Sequence, residues 1–339
     1  MKYDKVFVTS SPSFYKNNLF NEIAKKIDIF VIYTGAAYYE RNDDFYRGEL
    51  KFKHLILPNH LRQKISVLRK FLNENEYDEI VFGGWDNKIT WWLLFHSPKR
   101  KNSCIFESSI NESVTSGMKG YVKKIFLSRI IRAYPSGILQ SRLLKSLGFR
   151  GDIIEYGGCG LLRYQSQPDF EARNKVSNFL YVGRLVEVKN LQLLIHAFNK
   201  LPDLNLTIIG FGPLEEDLKK QAGNNIIFHG AVDNEKLPRY YKQADVFILP
   251  SKSEPWGLVV EEALNNGTPV IVSSAVGCRE DLVDHSTGLV FETDNEESLI
   301  SAIKHISDVK YYNVLRKGVS HLDFSKRAKK QVNTFLKKW

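Results

Sequence analysis

Short apolar runs alternate with helix-like segments through the second half of the chain, and this alternation constrains the fold most. The pattern predicts strands at residues 178–182, 204–209, 225–228, 245–249 and 270–273, separated by helices at 190–200, 213–222, 235–243 and 257–266. The runs are short and rich in β-branched residues, as is typical of parallel strands that are buried on both faces. Because strands that alternate with helices pair in parallel, we expect a doubly wound α/β domain here.

The first half repeats the pattern less regularly, with predicted strands at residues 5–9, 29–33, 79–82 and 103–106. A chain of 339 residues exceeds the size that one hydrophobic core usually serves, so two domains are expected. Clusters of Gly, Ser and Pro mark a linker near residues 157–172. We therefore predict two Rossmann-like domains, at residues 1–164 and 165–323.

The net charge of +10 lies entirely in the first half. Residues 1–165 carry 26 Lys and Arg against 16 Asp and Glu, whereas residues 166–339 carry 22 of each. This asymmetry indicates that the first half meets an anionic partner. An anionic membrane and a nucleic acid are both candidates, but no nucleic-acid-binding motif is present and aromatic residues do not interleave the basic runs.

Three scattered cysteines without metal-ligand spacing fit a reducing cytosol. No apolar run approaches 18 residues, and the amino terminus lacks the apolar stretch of a signal peptide. We therefore expect a cytoplasmic protein. A peripheral position on the inner face of the cell membrane is compatible with this expectation.

The segment Ser253–Pro269 lies between two predicted strands and places two acidic residues around a turn. Glu254 follows the strand end, where open α/β sheets bind ligands, and Glu262 lies about one turn inside the next helix. Gly257 opens that helix without a Cβ atom, so an anion could approach the free backbone N–H groups. An acid, an anion site and a second acid would suit a nucleotide sugar.

This segment resembles the E-x7-E signature of the retaining glycosyltransferases of family 4, which have the GT-B fold. Four further segments are similar to that family in kind and order: Tyr181–Asn190 (Gly-Arg-Leu…Lys-Asn), Ile208–Leu214 (Gly-x-Gly-Pro), Phe228–Gly230 and Gly277–Glu280. The resemblance covers about residues 178–292. It implies two doubly wound parallel-sheet domains that face a central cleft, with a last helix at 324–339 that packs back onto the first domain.

Cations at a strand end could neutralise a diphosphate and the charge that grows on it as a sugar departs. Arg184 and Lys189 follow the strand at 178–182 in this way, and with Glu254 they form the predicted catalytic set. The resemblance implies that Glu254 contacts sugar hydroxyls and that Glu262 accepts hydrogen bonds from the ribose. It also gives the other predicted donor-binding residues: Gly210, Gly212, Gly257, Leu258 and Val259. By helical geometry, we expect Glu261 to point away into solvent.

The first domain offers fewer candidates. Glu107 follows a strand end and Trp85 follows Gly83-Gly84, so both are candidate contacts for an acceptor or a sugar. The loop at residues 10–13 has serines and a proline where relatives commonly have glycines. A basic amphipathic helix is predicted at 119–134, and either a membrane surface or its own sheet could cover the apolar face.

The predicted function is transfer of a sugar from a nucleotide sugar to a saccharide or lipid-linked acceptor with retention of configuration. The Lys-, Asn- and Ile-rich composition suits an AT-rich bacterial genome, and hence synthesis of surface polysaccharide or lipopolysaccharide. We expect neither a metal ion nor a cofactor. A GT-B sugar-nucleotide epimerase is the enzymatic alternative, and a nucleic-acid-binding protein is the alternative from another class.

Overall fold

A computed structural model describes residues 1–35, 43–46, 48–162 and 168–337. The chain divides into two compact units, the first formed by Met1–Arg163 with Ser325–Trp339 and the second by Tyr164–Phe324. The predicted domain border at 164/165 and the last two residues of the predicted helix 324–339 lie outside the described residues, as does the centre of the predicted linker.

Within the described residues, the first unit contains a seven-stranded parallel sheet in the order β3-β2-β1-β4-β5-β6-β7. Its strands are β1 (Lys2–Thr9), β2 (Ile29–Tyr33), β3 (Lys53–Ile56), β4 (Glu76–Phe82), β5 (Asn102–Phe106), β6 (Arg132–Pro135) and β7 (Asp152–Ile153). Its first five helices are α1 (Phe14–Ala24), α2 (Leu61–Glu74), α3 (Lys88–His96), α4 (Gly117–Ser128) and α5 (Ile138–Ser146).

The second unit contains a six-stranded parallel sheet in the order β10-β9-β8-β11-β12-β13, counted over the same described residues. Its strands are β8 (Asn178–Val182), β9 (Asn205–Ile209), β10 (Ile226–Gly230), β11 (Val246–Leu249), β12 (Val270–Ser273) and β13 (Gly288–Phe291). Its helices are α6 (Leu191–Asn199), α7 (Glu215–Gln221), α8 (Leu237–Gln243), α9 (Leu258–Asn265), α10 (Arg279–Leu282), α11 (Glu296–Ile306) and α12 (Val309–Ser320). The expectation of two doubly wound parallel sheets is confirmed.

The last helix, α13 (Phe324–Leu336), belongs to the first unit from Ser325 onward. Its Phe335 ring is fully buried and lies 5.5 Å from the ring of Phe7 and 4.9 Å from that of Tyr134, measured between centroids. Gln331 accepts a hydrogen bond from the backbone N–H of Gly160. The chain therefore returns to the first sheet and covers β1 and β6 with aromatic side chains.

Local sequence explains why two central strands are buried and where two helices begin. The strands β11 and β12 are entirely buried Val, Ile, Leu and Phe apart from Ser273, as expected of strands covered by helices on both faces. Asn295 and Asp308 accept hydrogen bonds from the backbone N–H groups of Ser298 and Tyr311, which caps α11 and α12.

The prediction of one basic helix over residues 119–134 is wrong in its second half. The helix α4 ends at Ser128, and Arg132–Pro135 forms the buried strand β6 between β5 and β7. The sequence pattern was misleading because this four-residue strand begins with a cation. The strand β13 was also absent from the prediction, because only two of its four residues are buried.

Arg132 belongs to a buried ionic cluster at the amino edge of the first sheet. Glu79 of β4 binds Lys5 of β1 and Arg132 of β6, and it accepts hydrogen bonds from Ser103 and Tyr134. Burial opposes ionisation of Glu79, but the charge of Lys5 and the hydrogen bonds from Lys5, Ser103 and Tyr134 outweigh it and lower the pKa of this carboxyl. The carboxylate of Glu79 on β4 thus pairs with two buried cations on two other strands, and Arg132 also lies 3.6 Å from the exposed Asp152.

Replacing Glu79 by Gln should destabilise the first unit strongly, because two buried cations would lose their shared counter-charge. Removing one partner of a buried ion pair typically costs about 3–5 kcal/mol. Urea unfolding of the full chain measures this loss. The control Asp78→Asn removes a carboxylate paired with Lys2 on the surface, where about 0–1 kcal/mol is expected. Equal losses in both variants would contradict this account.

Candidate active site

The strand order of the second sheet reverses between β8 and β11. From β8 the chain proceeds outward through β9 and β10, and it then returns to place β11 on the other side of β8. The loops that follow β8 and β11 consequently leave the carboxyl edge in opposite directions. Ligands of open α/β sheets bind in the crevice that such a reversal opens.

The two loops are joined by an ion pair between Lys189, after β8, and Glu254, after β11. Both side chains are only 14% exposed. A backbone hydrogen bond of 2.9 Å from Lys252 N to Val188 O joins the same loops a second time. The structure thus brings together two of the three predicted catalytic residues at the point of reversal.

The third predicted catalytic residue, Arg184, also lies in the loop after β8. Its carbonyl oxygen accepts a hydrogen bond of 2.9 Å from the hydroxyl of Tyr181, whose ring is fully buried in β8. Tyr181 therefore holds the backbone of this loop against the sheet. Sequence reasoning assigned Tyr181 no role, since an aromatic residue in a buried strand indicates only packing.

Gly257 begins the helix α9 in a left-handed conformation, with φ of 103°. A Cβ atom there would lie 3.2 Å from Cγ1 of Val276, so strain and crowding both favour glycine. The first backbone N–H groups of a helix have no acceptor within it, and those of Leu258 and Val259 are at this position. They form the positive end of the helix dipole, which favours an anion.

The loop that carries Glu254 is held from both sides. The backbone N–H groups of Gly277 and Cys278 donate to the carbonyl oxygens of Glu254 and Trp256, each at 2.9 Å. The ring of Trp256 is buried, and its Nε1–H donates to the carboxylate of Glu261 at 3.2 Å. The first two residues of the Gly277–Glu280 motif therefore hold the turn in place, and its last two begin α10.

The prediction that Glu261 is solvated is wrong, because the side chain is only 1% exposed. The prediction used only the rotation between successive residues of a helix. It did not include the indole of Trp256, which lies across the first turn of α9 and donates a hydrogen bond to the buried carboxylate of Glu261. The sequence did contain a signal for this contact, because Trp256 lies five residues before Glu261 at the start of a helix.

Glu262 lies on α9 and is partly buried. Burial raises its pKa to about 7, although the Tyr241 hydroxyl, which donates to Oε2 at 2.7 Å, opposes the rise. The pKa of Tyr241 itself lies well above its usual range because its ring is buried, so its hydroxyl remains a donor. Tyr241 was not predicted, because it lies on α8, 21 residues before its partner.

Gly210 and Gly212 lie in the loop after β9, beside the loop that follows β8. A Cβ atom on Gly210 would lie 1.8 Å from the carbonyl oxygen of Gly183, and one on Gly212 would lie 2.4 Å from that of Leu185. Both glycines are therefore required by the close approach of two backbones. The loop that carries them therefore lies next to the loop that carries Arg184.

The first-unit candidates lie at the carboxyl edge of the first sheet but differ in character. Glu107 pairs with Lys16 of α1 at 3.0 Å. Burial would lower the pKa of Lys16, but Glu107 outweighs it and the net shift is upward. Trp85 is 9% exposed and packs against Phe106 in the core, which leaves its ring little surface for a ligand.

Two remaining features bear on metals and membranes. Among the residues that the structure describes, no group of three or more His, Cys, Asp or Glu side chains could hold a metal ion. In the same part of the chain, no helix has the length and apolar character needed to cross a bilayer.

Residues 165–330 match the family model described as "Glycosyl transferases group 1". The sulfoquinovosyl transferase of Arabidopsis thaliana is 34% identical over 153 residues, which cover 42% of this chain and 29% of that protein. Across eight similar curated proteins the matched share of their length ranges from 29% to 54%. The sequence similarity thus extends over part of each relative.

Solved structures match nearly the whole chain. Sucrose-phosphate synthase from Thermosynechococcus elongatus superposes with a TM-score of 0.75 at 18% identity, covering 98% of this chain and 96% of that one. The Anabaena protein Alr3699/HepE in complex with UDP superposes with a TM-score of 0.71 at 14% identity, covering 99% and 97%. The chain has the GT-B fold. At these identities the structural likeness extends to the fold alone.

Replacing Tyr241 by Phe should raise the pKa of Glu262 further, since its carboxylate would lose its hydrogen-bond donor. A hydrogen bond to a charged group is worth about 1.5–3 kcal/mol, which corresponds to a rise of about 1–2 pH units. NMR titration of glutamate labelled at the side-chain carboxyl carbon measures the shift, with Glu262→Gln to assign the resonance. The neighbouring Tyr240→Phe is the control, and a shift of the same size there would contradict the assignment.

Proposed function

We propose that this chain is a retaining glycosyltransferase that uses a nucleotide-sugar donor and a saccharide or lipid-linked acceptor. The observation that carries the proposal is the grouping at the reversal between β8 and β11. Lys189 and Glu254 form an ion pair there between the loops that follow β8 and β11, and Arg184, the amino terminus of α9 and Glu262 belong to the same two segments. Similarity of residues 165–330 to group 1 glycosyl transferases supports it.

In this proposal the donor diphosphate lies at the amino end of α9. The backbone N–H groups of Leu258 and Val259 donate to phosphate oxygens, and Arg184 and Lys189 neutralise the remaining charge. Glu254 orients sugar hydroxyls and keeps Lys189 in place. Glu262 accepts hydrogen bonds from the ribose, and the loop with Gly210 and Gly212 borders the base.

The proposed reaction exchanges one bond at the anomeric carbon of the sugar. The bond from this carbon to the diphosphate oxygen breaks, and the acceptor hydroxyl oxygen bonds to the same carbon from the same face. The hydroxyl proton passes to the departing phosphate oxygen. Arg184 and Lys189 stabilise the growing negative charge, so that the proposed mechanism needs no metal ion.

The proposal also includes an acceptor contact and a cellular setting. We assign Glu107 a contact with the acceptor or sugar, because it lies at the carboxyl edge of the first sheet with its charge balanced by Lys16. We omit Trp85 because its ring is buried in the core. The proposed setting is bacterial surface polysaccharide or lipopolysaccharide synthesis on the cytoplasmic side of the membrane.

The proposal includes peripheral contact with an anionic membrane through α4. Lys119 and Lys124 of this helix are exposed. Lys123 and Arg129 donate to the backbone oxygens of Val114 and Ser97.

A sugar-nucleotide epimerase is the second candidate, because every residue assigned to the donor lies in the second unit. An epimerase would convert or release the sugar of a donor supplied alone. Incubation of the chain with donor and no acceptor, followed by analysis of the products, distinguishes the two activities.

The variant Lys189→Ala should lower turnover by about 10²–10³, the usual loss when one charge-stabilising group is removed. Lys252→Ala is the matched control, since Lys252 lies on the adjoining loop and pairs with Glu187 near the surface. A thermal-shift panel of nucleotide sugars identifies the donor first, and steady-state kinetics then measure turnover. Wild-type turnover in Lys189→Ala would remove this residue from the mechanism.

The variant Glu262→Ala should weaken nucleotide binding by about 10–100-fold, the worth of a hydrogen bond to a charged group. Because the pKa of Glu262 is about 7, wild-type affinity should rise as the pH increases through that value and the carboxylate ionises. The variant should lack this rise. Calorimetry measures both effects, with the exposed Glu216→Ala as the control. Unchanged affinity in Glu262→Ala would exclude the ribose contact.

A further inference from the structure

A pocket of about 450 Å³ lies in the first unit, at the opposite edge of the sheet from Glu107. The end of α4, Ile131 before β6 and Phe149 before β7 contribute to its walls. These segments precede their strands, so the pocket lies at the amino edge. A five-residue strand such as β5 separates the two edges by about 17 Å. None of the residues assigned to the donor or acceptor lines this pocket.

Three cations from three separate segments line the pocket: Lys99, Lys124 and Arg150. All three are exposed, and no acidic side chain is among the lining residues. Within the described part of the chain, none of the three pairs with a carboxylate. Their positive charges therefore add up at one opening, where an anion would be attracted.

The rest of the lining is mainly apolar, with Leu127, Ile131 and Phe149 among its members. A volume of about 300–1,000 Å³ is usual for a small-molecule site. A free inorganic anion would bind the cations but would leave these apolar side chains in contact with water. The composition instead suits a phosphate that is joined to an apolar body.

An exposed apolar surface on α4 leads to this opening. Met118, Tyr121 and Val122 are 77%, 63% and 41% exposed. Residues three and seven positions after Tyr121, which are Lys124 and Ser128, lie on the adjoining part of the same helical face and line the pocket. A helix placed flat on a bilayer would insert the apolar side chains and bring the pocket to the level of the phosphates.

We propose that this pocket binds the phosphate of an anionic phospholipid headgroup when α4 lies in the membrane interface. The proposal rests on the membrane contact included in the proposed function and gives that contact a specific site. The three cations bind the phosphate, and the apolar walls cover the glycerol and the upper part of the acyl chains.

The test compares the pocket variant K99Q/K124Q/R150Q with the control K25Q/K51Q/K70Q by vesicle co-sedimentation. The control removes the same charge from exposed lysines of the same unit, each paired with a nearby glutamate. Vesicles contain phosphatidylcholine with or without phosphatidylglycerol. With phosphatidylglycerol, association of the pocket variant should fall about 100-fold, roughly fivefold for each cation, and the control should fall far less. Equal losses would overturn the proposal in favour of unspecific attraction.

Two further arms separate the remaining explanations. Glycerol phosphate at millimolar concentration should not displace the wild-type chain from vesicles, and displacement would assign the pocket to a soluble phosphate ester. The variant M118S/Y121S should also lose association. If M118S/Y121S loses association while the pocket variant does not, the result supports membrane contact through α4 and contradicts the headgroup site. Nucleotide affinity, measured in parallel, should be unchanged in all three variants, so that a failure of the donor site is recognised separately.

Discussion

The ion pair between Lys189 and Glu254 joins two loops that leave neighbouring strands in opposite directions, and the arrangement of the candidate site depends on it. The loops diverge because β11 lies beside β8 while the chain between them travels through β9 and β10. A backbone hydrogen bond from Lys252 to Val188 also joins these loops, but only the ion pair connects the cation directly to the acid. With it, one side chain that can neutralise a phosphate is held beside one that can bind a hydroxyl.

Backbone contacts support that pair and limit which residues the site accepts. Gly210 permits the loop after β9 to reach the loop after β8 at a distance that no Cβ atom allows. The turn at Gly257 is held by the segment 276–278 on one side and by the Trp256–Glu261 bond on the other. The amino end of α9 is consequently placed by packing and does not need a ligand to define it.

The sequence predicted the parts of this site that depend on local pattern. Glu254 and Gly257 were found because a strand, a turn and a helix follow one another within 25 residues, and parallel topology then puts the turn at a ligand-binding edge. The glycines after β9 were predicted from the family resemblance, because a Gly-x-Gly turn alone is common between strands and helices. The two-sheet architecture was predicted from the alternation of strands and helices alone. This alternation is a reliable signal because each element buries a regular apolar face.

The parts that escaped prediction depend on contacts between distant residues. Tyr241 modifies Glu262 from another helix, and no periodicity links two residues on separate elements. Glu261 was expected in solvent because helical geometry gives the direction of a side chain but not the residues that lie in that direction. Arg132 was placed in a surface helix, since a buried cation becomes intelligible only when its partner Glu79, 53 residues earlier, is known to lie beside it.

The most direct test of the account is a crystal structure of the chain with the nucleotide sugar that stabilises it most. We predict that the diphosphate lies at the amino end of α9, within hydrogen-bond distance of the Leu258 and Val259 N–H groups and of Lys189. The ribose should then contact Glu262. A diphosphate bound away from that helix end, with Glu254 and Glu262 both turned from the ligand, would contradict the account.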